Sequence, residues 1–87
     1  MITGTTRTGF SYQIEDDALN DYEILELMAK VRKNDVLSIF ELVERLLGEE
    51  QKDRLKDHCR DASGRVPISA INDEIVDIFT AEQVKKS

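Results

Sequence analysis

The middle of the chain carries its densest apolar segment, VLSIFELVERLL at residues 36–47. Apolar side chains recur there at helical spacing and also fill intermediate positions, so the stripe is wider than that of an ordinary surface helix. Such a stripe predicts a central helix that is covered on more than one side. With 87 residues, the chain has room for one small domain, residues 1–87, with a modest core. We therefore predict a mainly α fold, a small bundle of about four helices.

The central helix is predicted over residues 35–47, and another helix is predicted before it, over residues 20–33. Asn20 followed by Glu23 forms a pattern similar to a capping box, and Asp35 is suited to cap the central helix. Gly48 can end the central helix in a left-handed conformation.

Two further helices are predicted in the second half of the chain. Residues 49–60 are strongly polar, with only Leu55 and Cys59 on a narrow apolar seam. Because local charge pairs give this helix little help, tertiary contacts or a partner must hold it in place. A turn that ends at Pro67 then leads into a last helix over residues 67–83, or into a shorter helix that begins at residue 73.

Residues 2–14 are predicted to form a short N-terminal β-hairpin, with strands at residues 2–6 and 9–14. Gly9 can take the positive φ angle that a tight turn requires. Three apolar side chains alternate with polar ones and therefore share one face of the second strand: Phe10, Tyr12 and Ile14. Two strands are marginal alone, so this face must pack on a helix, or the strand edge must find a partner.

The charge of the chain limits the partners that it can have. The formal net charge is −6, from 18 acids against 12 bases. This balance argues against binding to nucleic acid and to anionic membranes, and it permits a basic protein partner. A lone cysteine, the lack of a signal-peptide pattern and the lack of a bilayer-length apolar run lead us to expect a cytosolic protein.

The residues best suited to catalysis or metal binding lie in the segment GEEQKDRLKDHCRDASGRVP, which holds the only His, Cys and Pro of the chain. Neighbours on a helix point about 100° apart, so His58 and Cys59 are poorly placed to share a metal ion or to act as a nucleophile and base. No motif for hydrolysis, phosphate binding or calcium binding is present. We therefore predict no enzyme activity, no catalytic residues, no metal and no cofactor.

Three features instead favour binding to a protein. The wide stripe of residues 36–47 can leave apolar surface uncovered, the hairpin has an open edge, and the helix of residues 49–60 has a thin seam. Each feature also has a plain structural explanation: a satisfied core, a short harmless edge and an ordinary solvated helix.

The order of these segments resembles a known family. The sequence LNDYEILELMAKV, followed by DVLSIFELVERLLGEEQKDRLKDHCRDASGRVPI and then by an acidic INDEIVDIF, looks like the tail assembly chaperones of long-tailed phages and prophages of Gram-positive bacteria. The resemblance spans about residues 9–80. Its strongest part is the LLGEEQKDRLKDH block with the following DASGRVP turn.

The resemblance implies a function in assembly. Such chaperones bind the long, helical tape measure protein, keep it soluble and help to recruit tail tube protein. The family commonly makes a short product and a longer one through a programmed frameshift, and this chain would be the short form. The resemblance also implies that the protein acts in the cytoplasm of the bacterial host and is not in the mature virion. Self-association is a further expectation.

The family offers no motif residue as a binding residue, so the partner-binding face is predicted from the residues alone. The candidates are the apolar side chains nearest the acidic ends of the chain: Tyr22, Leu25, Met28, Ile75, Val76 and Phe79. The alternative function is that of a small acidic regulator or inhibitor, which binds a basic protein surface. The alternative predicts strong salt dependence of binding, whereas the chaperone predicts weak salt dependence.

Overall fold

The computed structural model describes the backbone of residues 1–86 and the side chains of residues 1–82. Its elements are two strands, β1 and β2, a single turn of 3-10 helix, and three α-helices, α1 to α3. Their bounds are β1 Ile2–Thr5, β2 Ser11–Ile14, the 3-10 turn Ala18–Asn20, α1 Tyr22–Arg32, α2 Ser38–Cys59 and α3 Ile68–Lys86. The predicted helical fold with an N-terminal hairpin is confirmed, but the described residues form three helices where about four were predicted.

The hairpin is antiparallel, with a register that pairs Ile2 with Ile14 and Thr5 with Ser11. Gly9 has a φ of 95°, as the turn between the strands requires. The three alternating apolar side chains of the second strand region, Phe10, Tyr12 and Ile14, are all buried in the core. The hairpin therefore satisfies its apolar face within the chain.

A glycine on β1 makes room for the link between the hairpin and α3. Gly4 lies opposite Tyr12, and a Cβ at Gly4 would overlap the Tyr12 hydroxyl. The phenol therefore lies across β1 and donates a hydrogen bond of 2.5 Å to Oε2 of Glu82 on α3. Burial, followed by this contact with Glu82, raises the pKa of Tyr12 above its usual range.

Helix α1 begins one residue later than the capping pattern predicts. The Asp21 carboxylate accepts hydrogen bonds from the backbone N–H groups of Glu23 and Ile24, at 2.9 and 3.4 Å. Asn20 is not the cap, because it is already part of the 3-10 turn. The helix ends before Asn34, which has a φ of 71°.

The two helices predicted over residues 35–47 and 49–60 both fall within α2, as helical segments on either side of Gly48. Asp35 does not cap this helix with its side chain, since Val36 and Leu37 form a turn before the first helical residue, Ser38. Gly48 interrupts the helix with a non-helical φ of 82° and ψ of 169°, so the break predicted at this residue is confirmed. We refer to residues 38–47 as the first arm of α2 and to residues 49–59 as the second arm.

The second arm rests against the hairpin. Leu55 is fully buried, and Cys59 is half-buried against the core, so the predicted apolar seam is confirmed. The side chain of Gln51 accepts a hydrogen bond from the backbone N–H of Gln13 at 2.6 Å and donates one to its carbonyl oxygen at 2.7 Å. Gln51 thereby covers the outer edge of β2 as a neighbouring strand would.

One apolar cluster joins these elements. The hairpin contributes Phe10, Tyr12 and Ile14, α1 contributes its inner face, both arms of α2 contribute leucines, and α3 contributes three residues. Those three residues of α3 are Ile75, Ile78 and Phe79. Before α3, Gly64 has a φ of 89°, and the Asp61 carboxylate accepts hydrogen bonds from Ser63 and Arg65, which fixes the turn.

Candidate functional site

His58, the only histidine, lies at the end of the second arm and faces the hairpin loop. Its Nε2 atom is 2.8 Å from Oγ1 of Thr8, and its ring centroid is 5.5 Å from that of Phe10. Helical geometry separates it from Cys59 as predicted, because Cys59 packs against the core beside Leu55. The two residues therefore contribute to different contacts.

A buried carboxylate organises the polar groups around His58. Glu74 on α3 is buried, and its carboxylate accepts hydrogen bonds from the Thr6 and Thr8 hydroxyls, at 2.8 and 2.9 Å. Because the Thr8 hydrogen goes to Glu74, the Nε2–H of His58 donates to the Thr8 oxygen. This is the reverse of the direction that a base needs in order to activate a hydroxyl. The arrangement fastens the hairpin loop to α2 and α3.

Cys59 also lacks the setting of a reactive cysteine. Burial, followed by the nearby negative charge of Glu74, raises the pKa of its thiol. A raised pKa keeps the sulfur protonated, whereas nucleophiles and metal ligands need the thiolate. Within the side chains of residues 1–82, no three His, Cys, Asp or Glu residues are placed to hold a metal ion.

The predicted binding face is divided by the structure. Tyr22 and Leu25 are exposed on α1, with 77% and 42% of their surface accessible, and Val76 is partly exposed on α3. The other three candidates, Met28, Ile75 and Phe79, are buried in the core. They cannot meet a partner in this conformation, because the interior faces of α1 and α3 use them for packing.

A mostly apolar recess of the described surface lies elsewhere, between the first arm of α2 and the start of α3. It has a volume of about 250 Å³. Six apolar side chains line it, from the first arm, from the turn before α3 and from α3 itself: Ile39, Phe40, Val43, Val66, Ile68 and Ile71. Phe40 and Ile68 are 61% and 50% exposed, so the recess is an open apolar groove and not part of the closed core.

The groove continues along the helix pair into a second recess of about 230 Å³. Ile39 and Ile68 line both recesses, and the second adds apolar side chains from the end of α1 and from the turn before α2. Those side chains are Val31 and Val36. We call the two recesses together the α2–α3 groove.

Charged groups are found at one end of the α2–α3 groove. Lys52 reaches back along α2 and pairs with Glu44 and Glu49, at 3.1 and 3.0 Å, and these contacts raise its pKa. Lys56, one turn further, is exposed and has no ion-pair partner among residues 1–82. The polar groups at the other end, Asn34, Ser69 and Asn72, carry no charge.

The sequence contained a signal for this groove but not its location. The stripe of residues 36–47 is too wide for a one-sided helix, and the structure shows the consequence: Val36, Leu37 and Phe40 are left exposed. Periodicity could not show which apolar positions stay uncovered, because that depends on how close α1 and α3 approach.

Comparisons with known proteins give no family for this chain. No protein-family model, no curated protein and no solved structure matches it. Among the described helices, none combines the length and the apolar character that crossing a membrane would require.

Proposed function

We propose that this chain is a non-enzymatic tail assembly chaperone of a long-tailed phage or prophage. In this role it binds the tape measure protein, keeps it soluble and helps to recruit tail tube protein. The observation that carries the proposal is the exposed apolar α2–α3 groove on a small, acidic, helical body. An open groove of this kind receives the apolar face of a helix, and a tape measure protein is a long helical client with apolar segments to cover.

The acidic surface supports the same role. With a net charge of −6, copies bound along one client repel one another, which opposes aggregation of the coated complex. Many copies on one long client also make weak individual contacts sufficient, through multivalency. The proposal therefore does not need a deep or high-affinity pocket.

Co-expression with the tape measure protein of the same phage or prophage tests the proposal. The wild-type chain is expected to move the tape measure protein from the insoluble to the soluble fraction. Phe40→Glu places a charge in the α2–α3 groove and is expected to abolish this effect. Tyr22→Glu is the control, because Tyr22 is also an exposed aromatic residue but lies on a different helix.

The outcomes separate the alternatives. If the wild-type chain leaves the tape measure protein insoluble, the chaperone proposal fails. If only Tyr22→Glu loses activity, the client binds α1, as the sequence suggested, and not the groove. If binding is instead directed to a basic protein and is lost at moderate salt, the chain is the acidic regulator of the alternative hypothesis.

The proposal includes a place and time of action. The chain acts in the host cytoplasm, together with a longer frameshift product of the same gene, and it leaves before the virion is complete. Mass spectrometry of purified particles checks this, since stoichiometric amounts of the chain in mature virions would contradict it.

A further inference from the structure

We propose that the α2–α3 groove selects a helix that carries a carboxylate beside its apolar stripe, and that Lys56 is the residue that reads this carboxylate. The inference rests on the proposed function, since it takes a helical client as the occupant. It adds the chemistry of the docking segment and the residue that recognises it.

The shape of the groove supports a helical occupant. Its two recesses share Ile39 and Ile68, and charged side chains line only the first of them. A helix presents an apolar stripe at positions i, i+3, i+4 and i+7, which suits an elongated apolar groove. The side chain of Phe40, at 61% exposure, stands at the wall where such a stripe would pack.

The charged side chains at one end of the groove favour one sign of charge on the part of the client that lies there. Lys52 is paired with Glu44 and Glu49, whereas Lys56 has no ion-pair partner in the described part of the chain. The charged side chains that line this end of the groove are Glu44, Lys52 and Lys56, with a net charge of +1. An apolar helix that covered this end would bring its flanking residues close to the Lys56 ammonium. A carboxylate at that position gains a charge-assisted contact, and a lysine at that position is repelled.

This local charge is opposite to that of the whole molecule. The net charge of −6 alone would predict a basic client. Salt screens the field of distant charges, however, so the net charge does not decide a contact at short range. Inside a recess that a helix covers, the nearest charge has the largest effect because solvent screening is reduced. The groove therefore favours an acidic flank on a client whose remaining surface can have either sign.

Two synthetic helical peptides of roughly 18 residues, long enough to form helix on binding, are suitable probes. Both carry the same leucine stripe on an alanine and glutamine background, and they differ only in a flanking pair of residues, Glu in one and Lys in the other. Fluorescence anisotropy measures their affinities for the full-length wild-type chain and its variants. We expect the Glu peptide to bind about fivefold more tightly than the Lys peptide.

Four variants make the measurement specific. Lys56→Gln is expected to remove the preference, and Lys56→Glu is expected to reverse it in favour of the Lys peptide. Lys33→Glu, an exposed lysine at the end of α1 that does not line the groove, is the matched control and is expected to keep the preference. Phe40→Glu is expected to weaken both peptides, and circular dichroism confirms that each variant is folded.

Each contrary result has a defined meaning. Equal affinity of the two peptides for the wild-type chain overturns the role of Lys56, while the co-expression result for the tape measure protein stands by itself. Failure of both peptides to bind, alongside a soluble tape measure protein, overturns the groove as the docking site but not the proposed function. If sedimentation shows a dimer that Phe40→Glu converts to a monomer, the occupant is a second copy of this chain, and the inference is wrong.

Discussion

The two arms of α2 are similar in length and continuous in sequence, yet different interactions hold them. The first arm buries an apolar row, Ile39, Leu42, Val43, Leu46 and Leu47. The second arm buries only Leu55 completely, and polar contacts with the hairpin supply the rest. Gln51 bonds both backbone groups of Gln13, and His58 contacts Thr8.

The difference shows where each arm finds its partner. The polar second arm, which had too thin a seam to be stable alone, is completed within the molecule: the guanidinium of Arg54 lies 5.3 Å from the ring centroid of Phe10 and donates to the carbonyl oxygen of Ser11. The apolar first arm has more apolar side chains than its neighbours cover, and Phe40 remains outside. The polar composition of the second arm therefore did not indicate which of the two arms leaves apolar surface free for a partner.

Replacement of the one fully buried leucine of the second arm tests this comparison most strongly. Leu55→Ala is expected to lower the free energy of unfolding by about 2–5 kcal/mol, because it leaves a cavity in the core. Leu37→Ala, beside the first arm, is the matched control: Leu37 is 72% exposed, so its cost is expected to stay within about 0.5 kcal/mol. Urea denaturation measures both, and similar costs would contradict the assignment of core and surface.

The bond between the hairpin and α3 gives the next largest effect. Tyr12→Phe removes a hydrogen bond to the Glu82 carboxylate and is expected to cost about 1.5–3 kcal/mol at neutral pH. The exposed Tyr22→Phe is the control and is expected to leave the free energy of unfolding unchanged.

The same pair gives a pH dependence with a defined sign. Because the folded chain raises the pKa of Tyr12 above its unfolded value of 10.0, the unfolded chain loses this proton first as the pH rises. The contribution to stability is therefore fully present below pH 10.0 and decreases above it. Denaturation in a series of alkaline buffers should show a smaller decrease for Tyr12→Phe than for Tyr22→Phe, and equal slopes would contradict the role of burial.

A substitution at Gly48 tests the bend between the arms, because it is expected to lower stability if the helix is bent there and to raise stability if the helix is straight. Gly48 combines φ 82° with ψ 169°, a region that side chains other than glycine rarely enter, so Gly48→Ala is expected to cost about 1–3 kcal/mol. In a regular helix, the same change would stabilise the chain by about 0.5–1 kcal/mol. Thermal unfolding reads the sign directly, and an increase in Tm would show that the arms form a straight helix.

The smallest effect is expected at the histidine that first suggested chemistry. His58→Ala removes one hydrogen bond to Thr8 and is expected to cost about 0.5–1.5 kcal/mol, while the solubilising activity that we propose toward the tape measure protein is expected to be retained. His58→Gln offers an amide donor in place of the ring N–H and is expected to recover part of the stability. Loss of activity in a folded His58→Ala variant would assign the histidine a direct role in binding.

Features that depend on residues near one another in sequence could be predicted well. Alternation assigned Phe10, Tyr12 and Ile14 to one buried face, and the positive φ angle of Gly9 follows from a turn that few other residues can form. The start of α2 was less predictable, because Asp is a common capping residue but α2 begins three residues after Asp35. Several local conformations satisfy the same short sequence there, and packing selects one.

The sequence by itself determined the helical character, the hairpin, its inward face and the breaks at glycine. Only the tertiary structure decided that Glu74, on α3, gathers the hydroxyls of Thr6 and Thr8 from the hairpin loop, and that Met28, Ile75 and Phe79 are core while Phe40 is surface. Periodicity defines the faces of one element, because it depends on backbone geometry alone. Burial depends on which element, distant in sequence, covers each face, and no local sequence pattern encodes that packing.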